Sequence, residues 1–179
     1  MNNSTDDLRY PIGRFQPPDP ITENHILQSI EAVEQLPTQI EQAILNLDAT
    51  QLQTPYRPGG WTVQQVVHHV ADSHMQAYSR FKLALTEDQP TIKPYAEDRW
   101  AMLPDSRLLP VEVSLTLLHA LHRRWVVLMR HMSKDDWERT YYHPEQQRIF
   151  TLSWVVCMYA WHGRHHLMHI LKLRERMSW

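Results

Sequence analysis

His162 and His166 are one helical turn apart, and imidazoles at that spacing can share a metal ion. They lie in the stretch LSWVVCMYAWHGRHHLMHILKL, residues 152–173, which holds four of the chain's twelve histidines. At about 100° per residue the stretch reads as a helix. Val155, Met158, Tyr159, His162, His166, His169 and Leu173 then share one face. That face is apolar apart from its imidazoles, so it should point into a core. Side chains four apart stack on the same side of a helix. Both rings can therefore reach one ion, as in the helical H-E-x-x-H pattern. The residues between them are Gly163, Arg164 and His165. No glutamate follows the first histidine, which argues against a zincin-type protease.

A third ligand has to come from another element. The stretch WTVQQVVHHVADSHMQAYSRFKLAL, residues 61–85, has helical periodicity and three histidines. Val63, Val66, Val67, Val70, Ala77, Phe81 and Leu85 form its stripe. His74 falls near the centre of the stripe, His69 on its edge, and His68 points away. Wheel position alone makes His74 the buried one. The edge suits a metal beside a cleft, because a catalytic ion needs an open coordination position. Asp72, three residues after His69, is a candidate carboxylate behind a ligand. Asp72 and His74 are also the candidate catalytic groups by proximity, with Tyr142 and His143 as further ones from a later loop. The plainer reading of Asp72 is an exposed helix-surface acid. Cys157, inside the apolar helix, reads as a small buried hydrophobe before it reads as a nucleophile.

Four long helices must position these groups. The first starts at Thr22, with Ile21 and Ile26 as a hydrophobic staple. Its stripe runs through Ile30, Val33, Ile40, Ile44 and Leu47, and Pro37 predicts a kink or two consecutive helices. The second starts at Thr62, where Thr62 and Gln65 form a capping box. The third covers Val111 to Met132, with His119, His122 and His131 as ordinary, partly exposed histidines. The fourth is the histidine-rich helix, from which Arg164 points outward. Residues 86–110 form a proline-marked crossover that can roof a pocket. Residues 140–151 turn at HPEQ, as a short hairpin or an ordered loop. The expected fold is all-α, a four-helix bundle with a long crossover. Residues 1–20 read as an extended arm, pinned by Tyr10, Ile12 and Phe15.

Composition sets the outer bounds. A chain of 179 residues favours a single domain, 1–179, with a core that needs no disulfides. The formal net charge is −2, with both signs scattered, which excludes a nucleic-acid footprint. One cysteine allows no disulfide framework. The first residues carry no basic or apolar signal region, and no apolar run is long enough for a bilayer. The expected location is the cytoplasm, with no membrane partner.

Several of these stretches occur together in a known family. GGWTVQQVVHHVADSHMQAYSRFKLAL at 59–85 and WHGRHH at 161–166 resemble the DinB superfamily. The opening RYPIG, then TPYRPGGWTVQQVVHHVADSHM, LHRRW and YYHPE, resemble its YfiT-type metal-dependent hydrolases in order. The likeness runs from about Tyr10 to Trp179. It implies an up-down-down-up bundle, a homodimer, and one divalent metal per chain on three histidines. Carried over by position, these are His69, His162 and His166. The implied metal is zinc, with nickel the other candidate.

Three neutral imidazoles leave a divalent ion its full charge and an open position. Such a site can lower the pKa of a water to about 7, which is the hydrolase reading. It can also hold a thiol as thiolate. DinB relatives resemble S-transferases for low-molecular-weight thiols such as bacillithiol, so thiol transfer to an electrophile is the alternative. A third reading is a binding module whose metal is filled by a fourth ligand, His169 or His74. The partner in either enzyme reading is a small-molecule substrate.

Overall fold

The computed structural model describes residues 8–179. The first seven residues of the expected arm lie outside it. Four long helices carry the fold: α1 Glu23–Ile44, α2 Val63–Thr86, α3 Val111–Arg130 and α4 Leu152–Met177. Side-chain caps start three of them. Thr22 accepts from the His25 amide, Thr62 from Gln65 and Thr151 from Trp154. Each cap satisfies an amide that a helix start leaves without a partner.

Cross-helix contacts give the topology. Ser29 meets Cys157, and the Ala43 carbonyl accepts from Arg174, so α1 and α4 run parallel. Arg130 pairs with Glu34 and His119 with Glu41, so α1 and α3 run antiparallel. His68 reaches Ser114 and His74 reaches His122, so α2 and α3 are parallel. His69 stands by His166 and His74 by His162, so α2 and α4 are antiparallel. The directions are up, down, down, up. Of the two parallel pairs, α1 with α4 and α2 with α3, only the second is consecutive in sequence, and the loop from 87 to 110 makes its long return. The segment with β1 Thr140–His143 and β2 Arg148–Thr151 joins α3 to α4, which run antiparallel.

That segment is a hairpin, the first of the two forms the sequence allows. Tyr141 stands opposite Phe150 in its antiparallel register. The crossover joins it: Ile92 N–H donates to the Tyr142 carbonyl at 3.0 Å, and Tyr142 N–H to the Pro90 carbonyl at 2.9 Å.

The apolar core is in two parts. One gathers Ile30, Val33, Phe81, Trp125 and Val155. The other gathers Ile40, Val66, Val70, Leu118 and Ile170. Between them, at mid-height, α2 presents His74, α3 presents His122 and α4 presents His162 and His166. The histidines thus form a polar layer across the bundle.

Three expectations need correction. Of the two forms expected at Pro37, two consecutive helices is not the one found; α1 runs through as one helix, with Pro37 buried in the bundle. Packing along the helix outweighs one lost backbone hydrogen bond. His122 is not a partly exposed histidine but is 2% exposed and hydrogen-bonded within the layer. His68 does point away from the α2 stripe, yet it is buried, because the crossover covers it. Its ring meets Ser114 Oγ at 2.7 Å and the Leu109 carbonyl at 3.1 Å. From residue 8 onward the arm is pinned as expected, with Phe15 edge-on to Trp154 at 5.2 Å. Among the described residues no helix is long and apolar enough to cross a membrane.

Candidate metal centre

α2 supplies one ring and α4 two. The antiparallel crossing of α2 and α4 brings His69 opposite His162 and His166. Each offers one ring nitrogen, and the three nitrogens lie within 4.8 Å of one another. His69 and His166 are 4% and 7% exposed, and His162 is half-buried. Gly163 lets α4 sit against α1 here, because a Cβ at that position would run into the Leu36 side chain. Trp61 closes one side, its ring 4.4 Å from that of His69.

Burial holds these imidazoles neutral. It pushes the pKa of His69 down to about 4, with His165 adding to the effect. It also holds His162 and His166 well below the usual histidine value, and the neighbouring rings lower them further. A neutral imidazole has one bare nitrogen, the form a metal needs. The donor set fits a divalent ion of borderline softness.

Two chains of hydrogen bonds decide which nitrogen is bare. The Val33 carbonyl can only accept, so His122 Nδ1 donates to it, at 2.6 Å. A neutral His122 then has a bare Nε2, which accepts from His74 Nδ1 at 3.0 Å. Likewise His74 Nε2 is bare and accepts from His162 Nδ1 at 3.3 Å. The Nε2 of His162 is left unprotonated. On the other side His169 Nε2 donates to the Arg9 carbonyl at 3.1 Å, and its Nδ1 accepts from His166 Nδ1 at 3.4 Å. The Nε2 of His166 is bare for the same reason. Burial lowers His122 to about 4 and His169 to about 3, which keeps both links neutral. A partner on the far nitrogen is the usual way a metal-binding histidine is oriented.

Two cavities meet at this point. One, of about 280 Å³, is walled by His69, His166, Trp61, Tyr10 and Arg57. The other, of about 600 Å³, is walled by Ser73, Arg80, Tyr95, His143 and Tyr159. His162, Glu97 and Asp98 line both. The crossover does roof the pocket, contributing Glu97 and Asp98 to both cavities and Tyr95 to the larger one.

The candidate groups separate on this frame. His69, His162 and His166 come together. His74 lies behind His162, fully enclosed, and can touch a substrate only through it. Asp72 lines neither cavity. Burial raises its carboxyl to about 6, and Asp105 on the crossover side adds to this. His143 lines the larger cavity, and Arg164 is exposed, as its wheel position predicts. Cys157 is buried, and its thiol is pushed up by burial.

Three residues escape the sequence reading. Glu97 sits in a proline-marked loop with no period to place it. His122 looks like one of three similar histidines on α3. Arg80 carried a usable signal, as a charge beside Ala77, Phe81 and Ala84 on the apolar stripe.

Comparison with known proteins shows the family and the fold. A model of the DinB superfamily matches residues 32–170. A protein of Bacillus cereus strain 03BB102, provisionally named a metal-dependent hydrolase, is 57% identical over 173 residues, covering 97% of this chain and 99% of its own. A Bacillus thuringiensis subsp. konkukian protein with the same provisional name is also 57% identical over the same span. Among solved structures, YfiT from Bacillus subtilis superposes with a TM-score of 0.94 at 45% identity, covering 97% of this chain and 99% of that one. It is described, again provisionally, as a metal-dependent hydrolase with an unusual four-helix bundle topology. A mycothiol-dependent maleylpyruvate isomerase shares the fold, with a TM-score of 0.63 at 18% identity over 83% of this chain and 60% of its own.

Proposed function

This chain is a YfiT-type member of the DinB superfamily, and from that premise we propose that it is a hydrolase working through one divalent ion on His69, His162 and His166. One observation carries the reading: three neutral imidazoles offer nitrogens within 4.8 Å of one another on the wall of a cavity. When bound, the ion supplies Lewis acidity, lowering the pKa of a water to about 7 and polarising a substrate oxygen.

The chain's own residues supply the rest. Glu97 stands where the two cavities meet and is the best-placed proton acceptor. Burial raises its carboxyl, and Asp98 and Glu145 reinforce the shift. A carboxylate so raised takes a proton from an attacking water more readily than one at its ordinary value. Its Oε then returns the proton to the leaving group. Trp61 and Tyr10 keep bulk water off one side of the histidines.

Thiol transfer to an electrophile is the second reading, and the paired cavities favour it. One cavity takes the thiol and the other the electrophile, and Glu97 accepts the thiol proton. Zinc as the ion, nickel as its substitute, a single domain, a homodimer and a cytoplasmic location complete the proposal, on the family resemblance.

The test is metal content after purification without added metal or a nickel column. We expect close to one divalent ion per chain, and a large loss in His166→Ala. A protein that carries no metal and takes up neither zinc nor nickel overturns the proposal. With the ion loaded, release of product from an ester is compared with consumption of a free thiol, which separates the two readings.

A further inference from the structure

Arg80 is a buried cation with no anion beside it. It is 8% exposed. Its Nε has no hydrogen-bond partner. None of the ion pairs among the described residues includes it. A buried charge normally has an opposite charge or a full set of hydrogen bonds. A guanidinium cannot shed its proton to escape burial as a lysine or histidine can.

The groups that face Arg80 do not neutralise it. The phenols of Tyr141 and Tyr159 are hydrogen-bonded to it but bring no charge, since burial raises both and they remain protonated. His143 faces it too, and is held neutral by burial and by the charge of Arg80 itself. Glu97, Asp98 and Glu145 line the same cavity, but none approaches within ion-pair distance. The guanidinium therefore faces a space of about 600 Å³, and His162 is on the wall of that space.

We propose that Arg80 binds a carboxylate of the substrate in the larger cavity, which makes the substrate a small organic acid whose reacting bond lies at the histidine end. The planar fork of arginine matches a carboxylate in two parallel hydrogen bonds. A single negative charge balances a single guanidinium. The acidic rim of Glu97, Asp98 and Glu145 opposes a dianion such as phosphate. Tyr159 stands against Arg80, and its ring centroid lies 5.6 Å from that of His162. A spacer of several bonds therefore separates the acid group from a reacting bond at the histidine end. The catalytic meaning of this subsite rests on the metal reading above; the binding itself does not.

The experiment follows the Arg80 Nε–H signal in 15N-arginine-labelled full-length protein. Hexanoate is titrated against its neutral analogue hexanamide and against inorganic phosphate. Metal-free and zinc-loaded protein are both used. We expect a saturable shift with hexanoate in both forms and none with hexanamide. In Arg80→Met the affinity for hexanoate, read by calorimetry, falls about 10- to 100-fold, the loss of a charged hydrogen-bonded contact. Arg80→Lys keeps the charge without the fork and falls between. Should Arg80→Met fail to fold, the wild-type Nε–H shift decides alone. No shift with hexanoate, an equal shift with hexanamide, or a response to phosphate only would each overturn the proposal. Binding in metal-free protein that persists when no metal is taken up sinks the metal reading and leaves the subsite standing.

Discussion

His74 Nε2 stands 3.3 Å from Nδ1 of His162, one ring of the three-histidine group. Behind it His122 links His74 to the Val33 carbonyl. A backbone oxygen on α1 thus sets the tautomer of a ring on α4, through two intervening imidazoles on α2 and α3.

This relationship makes the first prediction. Metal-free protein should show His162 and His166 as the Nδ1–H tautomers in long-range 1H–15N spectra. His74→Phe keeps the ring volume against Trp125 and Tyr159 but removes the acceptor. Zinc affinity in that variant should fall about 10- to 100-fold, as it does when the partner of a metal-binding histidine is lost. His162 protonated at Nε2 in the wild type would show that the chain of hydrogen bonds does not set the tautomer.

The close approach at Gly163 makes the second. Gly163→Ala gains about 1 kcal/mol of helix propensity. It also drives a methyl into Leu36, which is 3% exposed and has little room to yield. Overpacking of this kind costs about 1–3 kcal/mol, so the variant should be less stable in denaturant unfolding. In a Leu36→Ala background the clash is gone, and the same substitution should stabilise. Equal effects in both backgrounds would refute the contact.

His122 gives a pH dependence. Its native pKa is lowered to about 4 from the ordinary 6.5, first by burial. The unfolded chain therefore binds the proton first. The stability this buried neutral ring contributes is complete above pH 6.5 and is lost as pH falls toward 4. The shift corresponds to about 3 kcal/mol at most. His122→Leu should be less stable at pH 7, because the Val33 carbonyl loses its donor. Its unfolding free energy should nevertheless fall less than that of the wild type between pH 6.5 and 4. Parallel pH curves for the two proteins would count against this.

Glu97 and Asp72 separate by position. Glu97→Gln keeps the shape of the carboxylate but cannot take a proton. Turnover of an ester probe by the zinc-loaded enzyme should fall about 10²- to 10⁴-fold, the usual effect of losing a general base, with zinc affinity little changed. Asp72→Asn, outside both cavities, should leave turnover within a few-fold. The reverse ranking would move the proton acceptor to Asp72.

The sequence by itself determined the four helices, the start at Thr22 and the hydrogen-bonded start at Thr62, the crossover, and the face of α4 that turns inward. These are local: period, capping side chains and breakers act within a few residues of where they occur. The pair His162 and His166 was legible for the same reason, since one helical turn places both rings. Wheel position alone favours His74 as the buried ring, and only the family resemblance points to His69 as the ligand. It is the antiparallel crossing of α2 and α4 that separates them, with His69 joining the cluster and His74 standing behind His162. The roles of His122, Arg80 and Glu97 were decided by tertiary structure too. His122 works through a carbonyl on another helix, 89 residues away. Arg80 matters because nothing packed around it carries a compensating charge. Glu97 lines the same cavities as His162 from a loop whose path is set by pairing with the hairpin. Periodicity reports which side of an element is buried, but not which groups from distant elements meet there.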